Sequence, residues 1–180
     1  AAKAECGYLV LPIEPPDSVV PVVDTNWYVN AETGDDFATG FTPETAWKSL
    51  TNVYTKGYVL AGDCVHAAAG NYNTGLMTNT TAVSTSAPIN GNRLLGSRVV
   101  VPSGVALVAD EGPDKTTITG ADATVANKNW LNMGTNAVRC VTLMGNNYLA
   151  GFTLSGGKVS NAVGGRYNDT VGGGVLAPYA

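Results

Sequence analysis

Charged side chains are scarce in this chain of 180 residues: 10 Lys and Arg with 14 Asp and Glu make up 13% of it, where a soluble domain averages about 25%. A surface so poor in charge is coated by hydroxyls and amides, the profile of exported β proteins and not of helical cytosolic enzymes. The net charge of -4 and the pI near 4.8 leave no basic stripe to grip phosphate, which argues against nucleic acid as a partner. No run approaches the ~18 consecutive apolar residues of a membrane helix, so no membrane insertion is expected. There is one histidine, His66. With no Ser or Cys nucleophile at a recognisable spacing from it, the sequence offers no catalytic triad.

Cysteine is also sparse. Cys6, Cys64 and Cys140 match no zinc-binding spacing such as CxxC, and three cannot all pair within one chain. Two readings stand: in an exported setting Cys6 and Cys64 form a disulfide that ties the N-terminal segment to the first strand and leaves Cys140 over, or all three are buried thiols. The start Ala1-Ala2-Lys3-Ala4-Glu5 reads either as what remains after a signal peptide is cut behind small residues or as an arbitrary boundary.

What is abundant is Gly, at 22 residues, with Thr, Asn and Ser, and a repeat emerges from them. Arg98–Gly120 and Asn136–Gly157 share one outline: a β-branched run, a tight polar turn (Pro102-Ser103-Gly104, then Gly145-Asn146-Asn147), a second apolar run and a closing Thr/Gly segment. Val99 and Val101 precede Val141 and Leu143 by the same interval that separates Leu107 from Leu149. That is the rhythm of a solenoid built from strands.

The rest of the chain divides around these units. Residues 1–26 carry Pro12, Pro15, Pro16 and Pro21 among Leu and Val, which forbids a helix and favours an extended, polyproline II arm. Trp27–Asn30 follow as a short strand. Thr42 is a helix N-cap with Pro43 at the first helical position and Glu44 behind it. Ala46, Trp47, Leu50, Val53 and Tyr54 then form one apolar face, predicting a helix that ends near Gly57 and lies across the exposed first strand as a cap. Gly62–Tyr72 reads as turn, strand and turn, and residues 74–96 as a long surface loop with one short strand near Met77. The domains expected are thus an arm, 1–26, and a capped β unit, 27–180, whose last strand at Gly174-Val175-Leu176 stands in mid-coil.

On these residues the chain resembles the N-terminal part of right-handed parallel β-helix proteins of the pectate-lyase-like superfamily. The matching elements are Tyr28-Val29-Asn30, Gly34-Asp35-Asp36, Thr42–Trp47, Gly62-Asp63-Cys64-Val65 and Ala69-Gly70-Asn71-Tyr72. The later units are similar to coils of bacterial surface and polymorphic outer-membrane proteins of that superfamily. The resemblance implies an all-β fold, a right-handed parallel β-helix with one N-terminal capping α-helix, over about residues 27–176. It says little of function, because one solenoid hosts lyases, hydrolases, adhesins and tailspikes. A lyase of this superfamily would carry acidic Ca²⁺ ligands beside an Arg or Lys base, and no carboxylate cluster stands beside Arg93, Arg98, Arg139 or Arg166.

The site candidates are few. Asp35 and Asp36 are either Ca²⁺ ligands, which would make Ca²⁺ the one cofactor, or carboxylates that hold their turn through backbone N–H groups. Asp110, Glu111 and Asp114 cluster around another turn, as a cation site or a solvated loop. Trp130 is the candidate for stacking on a glycan, with Trp47 assigned to the core. His66 is expected to point outward from its strand. The function expected is an exported, non-catalytic structural or adhesive module that self-associates through its arm and open end. The alternative is the N-terminal part of a carbohydrate-active enzyme, or a glycan-binding module with a polysaccharide partner.

Overall fold

The computed structural model describes residues 25–76, 96–123, 137–159 and 173–177. These are mostly β with very little helix. Among them, ten strands form three parallel sheets. The first holds β1 (Asn26–Val29), β2 (Cys64–Ala67), β5 (Ala106–Ala109) and β8 (Tyr148–Ala150), side by side in that order. The second holds β3 (Gly70–Tyr72), β6 (Thr116–Thr119) and β9 (Thr153–Ser155), and the third β4 (Ser97–Val101), β7 (Arg139–Leu143) and β10 (Val175–Leu176). From β2 onward the chain visits first, second and third sheet in a fixed cycle.

The register follows the internal repeat. Leu107 sits beside Leu149, and Val99 and Val101 sit beside Val141 and Leu143. The same interval of 42 positions also places Val65 beside Leu107 (65 to 107, 107 to 149). Side chains alternate across each strand, so this register stacks Val65, Leu107 and Leu149 in one column. They meet Tyr72 and Ile118 of the second sheet and Val99, Val101 and Val141 of the third in a single core. One slip of register would turn these columns outward, so the apolar pattern holds the pairing.

Two predicted elements differ. The helix expected from Thr42 to Gly57 is only a 3-10 turn at Pro43–Thr45 and one α-helical turn, α1, at Asn52–Thr55. Thr42 does start the first turn, its N–H donating to Thr45 Oγ1 at 3.1 Å. Between the turns the chain is extended: Trp47 N–H donates to Tyr28 O at 2.9 Å and Trp47 O accepts from Asn30 N–H at 2.7 Å. Tyr28 N–H donates to Gly40 O at 2.8 Å. The edge of β1 has backbone groups that need partners. An extended segment can supply them, whereas a helix consumes its own. α1 lies elsewhere, with Tyr54 packed on Val100 against the outer face of β4. The second difference is Gly70–Tyr72, expected as a turn, which is strand β3. Its Tyr72 ring enters the core and its hydroxyl donates to Val29 O at 3.0 Å and Ala68 O at 2.9 Å. Burial pushes the Tyr72 phenol well above its ordinary range.

Glycines occupy one corner where successive passages of chain nearly touch. A Cβ at Gly120 would strike the Val138 carbonyl and the Gly157 backbone, and one at Gly157 would strike the Gly173 carbonyl.

Candidate functional site

Of the polar residues singled out in the sequence, Asp35, Asp36, His66, Arg98, Asp110 and Glu111 are engaged within the protein. Asp36 Oδ1 accepts from Lys48 N–H (2.9 Å), Ser49 N–H (2.7 Å) and Asn52 Nδ2 (2.9 Å), and Oδ2 accepts from Ser49 Oγ at 2.7 Å. One carboxylate thereby fixes the extended segment to the start of α1. Asp35 Oδ1 accepts from Phe37 N–H at 2.9 Å in a local turn. Both Asp35 and Asp36 spend oxygens on protein donors, Asp35 within its own turn and Asp36 on a segment 12 to 16 positions further along. No group of three or more His, Cys, Asp or Glu is poised for a metal among the described residues.

His66 is on β2 and faces away from the core, as alternation requires, but it is largely covered. Its Nδ1 lies 2.8 Å from Asp110 Oδ1 and its Nε2 3.3 Å from Asn26 Oδ1, and its ring stacks on Tyr28 at 5.2 Å. An imidazolium would donate to both oxygens, joining β1, β2 and the end of β5. The partner of Nε2 is an amide and not a nucleophilic hydroxyl or thiol, so the pair lacks the third member of a triad. Glu111 pairs with Lys115 at 2.9 Å on the surface, and burial lowers the pKa of Arg98, whose guanidinium donates to Thr119 O and Gly75 O.

Cys64 is disulfide-bonded, and Cys140 is a buried free thiol whose Sγ donates to Ser155 O at 3.3 Å. Burial pushes the Cys140 thiol up, which keeps it protonated and unreactive. Cys6 and Trp130, expected as disulfide partner and glycan contact, lie outside the described residues.

Among the described residues, a feature with the means to hold a ligand is an aromatic groove near the β1 end of the first sheet. Trp27, on β1, is buried at its floor, its Nε1 donating to Asp63 Oδ2 at 2.8 Å while Asp63 also accepts from Leu60 N–H at 2.9 Å. Around it the rings lie nearly parallel: Phe41 at 4.6 Å, Trp47 at 5.0 Å and Tyr58 at 6.3 Å between centroids. Trp47 is fully buried, its Nε1 bonded to Ala38 O, so the sequence assignment of Trp47 to the core holds while its helix does not. Phe37, Phe41, Tyr58 and Leu60 are exposed by 95%, 55%, 61% and 65%. With Lys56 they line about 640 Å³ of space. Among the described residues, Lys56 and Tyr58 are its titratable lining groups, and its exposed rings equip it to bind by stacking and apolar contact.

Sequence reasoning does not single out this groove, although a signal for it exists. Two of the chain's three Phe, Phe37 and Phe41, sit in the turn Asp-Asp-Phe-Ala-Thr-Gly-Phe-Thr, where polar residues are usual. Their convergence with Tyr58 and Trp27 depends on how residues 30–47 fold back over β1.

No family model matches this chain, and neither does any curated protein or solved structure.

Proposed function

We propose that this chain is a right-handed parallel β-helix of the pectate-lyase-like type and serves as a non-catalytic structural or adhesive module of an exported, cell-surface or extracellular assembly. One observation carries the reading: among the described residues, Asp36, Asp63, His66 and Asp110 are spent on joining successive segments of the scaffold. Asp36 anchors the segment covering β1, Asp63 holds Trp27, and His66 with Asp110 links three strands of the first sheet. Enzymes present such groups to a cleft, with a donor or base left toward substrate. The cyclic order of the three sheets supports the solenoid. The disulfide at Cys64 supports an oxidising compartment.

In this reading β8 and β9, at the edges of their sheets among the described residues, accept further strands from the same polypeptide or a second copy. Multi-angle light scattering over a hundredfold concentration range tests the self-association. Mass rising with concentration is the expected result. An invariant monomer mass for the full chain would remove self-assembly from the proposal.

A further inference from the structure

We infer that the aromatic groove receives the chain's own proline-rich segment, residues 9–23, as an extended strap tethered at both of its ends beside the groove. A cluster of exposed rings is unfavourable in water and marks a contact surface. Exposed aromatic rings with an apolar wall suit polyproline II chain, whose prolines pack on ring faces and which loses little entropy on docking. Residues 9–23 have that character: Pro12, Pro15, Pro16 and Pro21 lie among Leu and Val, and their only charges are Glu14 and Asp17. Among the described residues, the only charged one lining the groove is Lys56, so the charges are complementary.

The tethers give the segment its address. Thr25 leads straight into β1, and Trp27, the floor of the groove, stands two residues on. Cys64, beside Asn26 in the β1–β2 register, follows the groove residue Leu60 by four positions. Cys64 is disulfide-bonded, Cys140 is free, and Cys6 is the remaining cysteine of the sequence. With Cys6 joined to Cys64, the intervening segment leaves and returns at one place beside the groove. The 19 residue steps from Cys6 to Thr25, at about 3.1 Å each, give roughly 59 Å of contour, enough to cross the groove and come back.

The test is made on the full, oxidised chain. Phe37, almost wholly exposed, is replaced by the photo-reactive p-benzoylphenylalanine, the purified protein is irradiated, and adducts are mapped by mass spectrometry under non-reducing conditions. The expected product has monomer mass with its cross-link within residues 9–23, and its yield falls several-fold when Glu14→Lys and Asp17→Lys set like charges against Lys56. Cross-links only to other parts of the chain, only at dimer mass, or at a yield indifferent to the charge reversal would overturn the inference.

Discussion

Replacing Asp36 by Ala should loosen the segment that covers β1 without touching the core. The carboxylate accepts four hydrogen bonds, from Lys48 N–H, Ser49 N–H, Ser49 Oγ and Asn52 Nδ2, at 2.7 to 2.9 Å. A hydrogen bond to a charged acceptor contributes about 1.5–3 kcal/mol. Asp36 is only half-buried, so water recovers part of the loss, and the net cost should be about 2–4 kcal/mol. Asp36→Asn keeps Oδ1 for three of the donors and should cost about 1 kcal/mol. Urea unfolding followed by tryptophan emission is the assay, because Trp47 is buried in the same segment. Excess EDTA forms the control: if the carboxylate serves its protein donors, chelation leaves the wild-type curve unchanged. Asp36→Ala within about 0.5 kcal/mol of wild type, the ordinary range for a surface change, would refute the reasoning. So would EDTA destabilising wild type as much as the substitution does, which would restore Asp35 and Asp36 as a Ca²⁺ site.

Two further outcomes follow from buried contacts. The Tyr72 phenol is raised above its usual value of 10.0, chiefly by burial, so the folded state holds that proton more firmly than the unfolded chain. Its contribution is fully present below about pH 10 and is lost as pH rises beyond it, by up to about 1.4 kcal/mol per pH unit. Urea midpoints at pH 9 and 11 should show this fall, reduced in Tyr72→Phe. A methyl group at Gly157 would meet the Gly173 carbonyl and Cys140 Sγ, so Gly157→Ala should lower thermal stability by several degrees, whereas Gly112→Ala, where the added Cβ has open space around it, should cost only its positive-φ strain. Equal shifts in a thermal scan would argue against the close approach.

Much of the strand pattern is legible in the sequence because alternation and repeat are local properties. The common interval from Val99 to Val141 and from Leu107 to Leu149 is enough to pair β4 with β7 and β5 with β8. The helix expected at residues 42–57 does not form as such, because its apolar spacing suits two states and the demand that settles the choice lies outside the segment. The free backbone edge of β1 draws Trp47 into extended pairing, and Asp36, more than ten positions back, takes the N–H groups of Lys48 and Ser49. Gly70–Tyr72 carries the local signal of a turn in its glycine and asparagine, while β6 alongside makes it a strand.

By itself the sequence determined the apolar strands of the repeat, their interval, and a composition poor in charge, since these are properties of the local pattern. Only the tertiary structure decided what covers β1, where His66, Asp36 and Asp63 spend their hydrogen bonds, and that Trp27, Phe37, Phe41 and Tyr58 form one groove. Asp36 with Lys48, Trp27 with Asp63 and His66 with Asp110 stand 12, 36 and 44 positions apart, separations at which tertiary packing, and not local preference, determines which side chains meet.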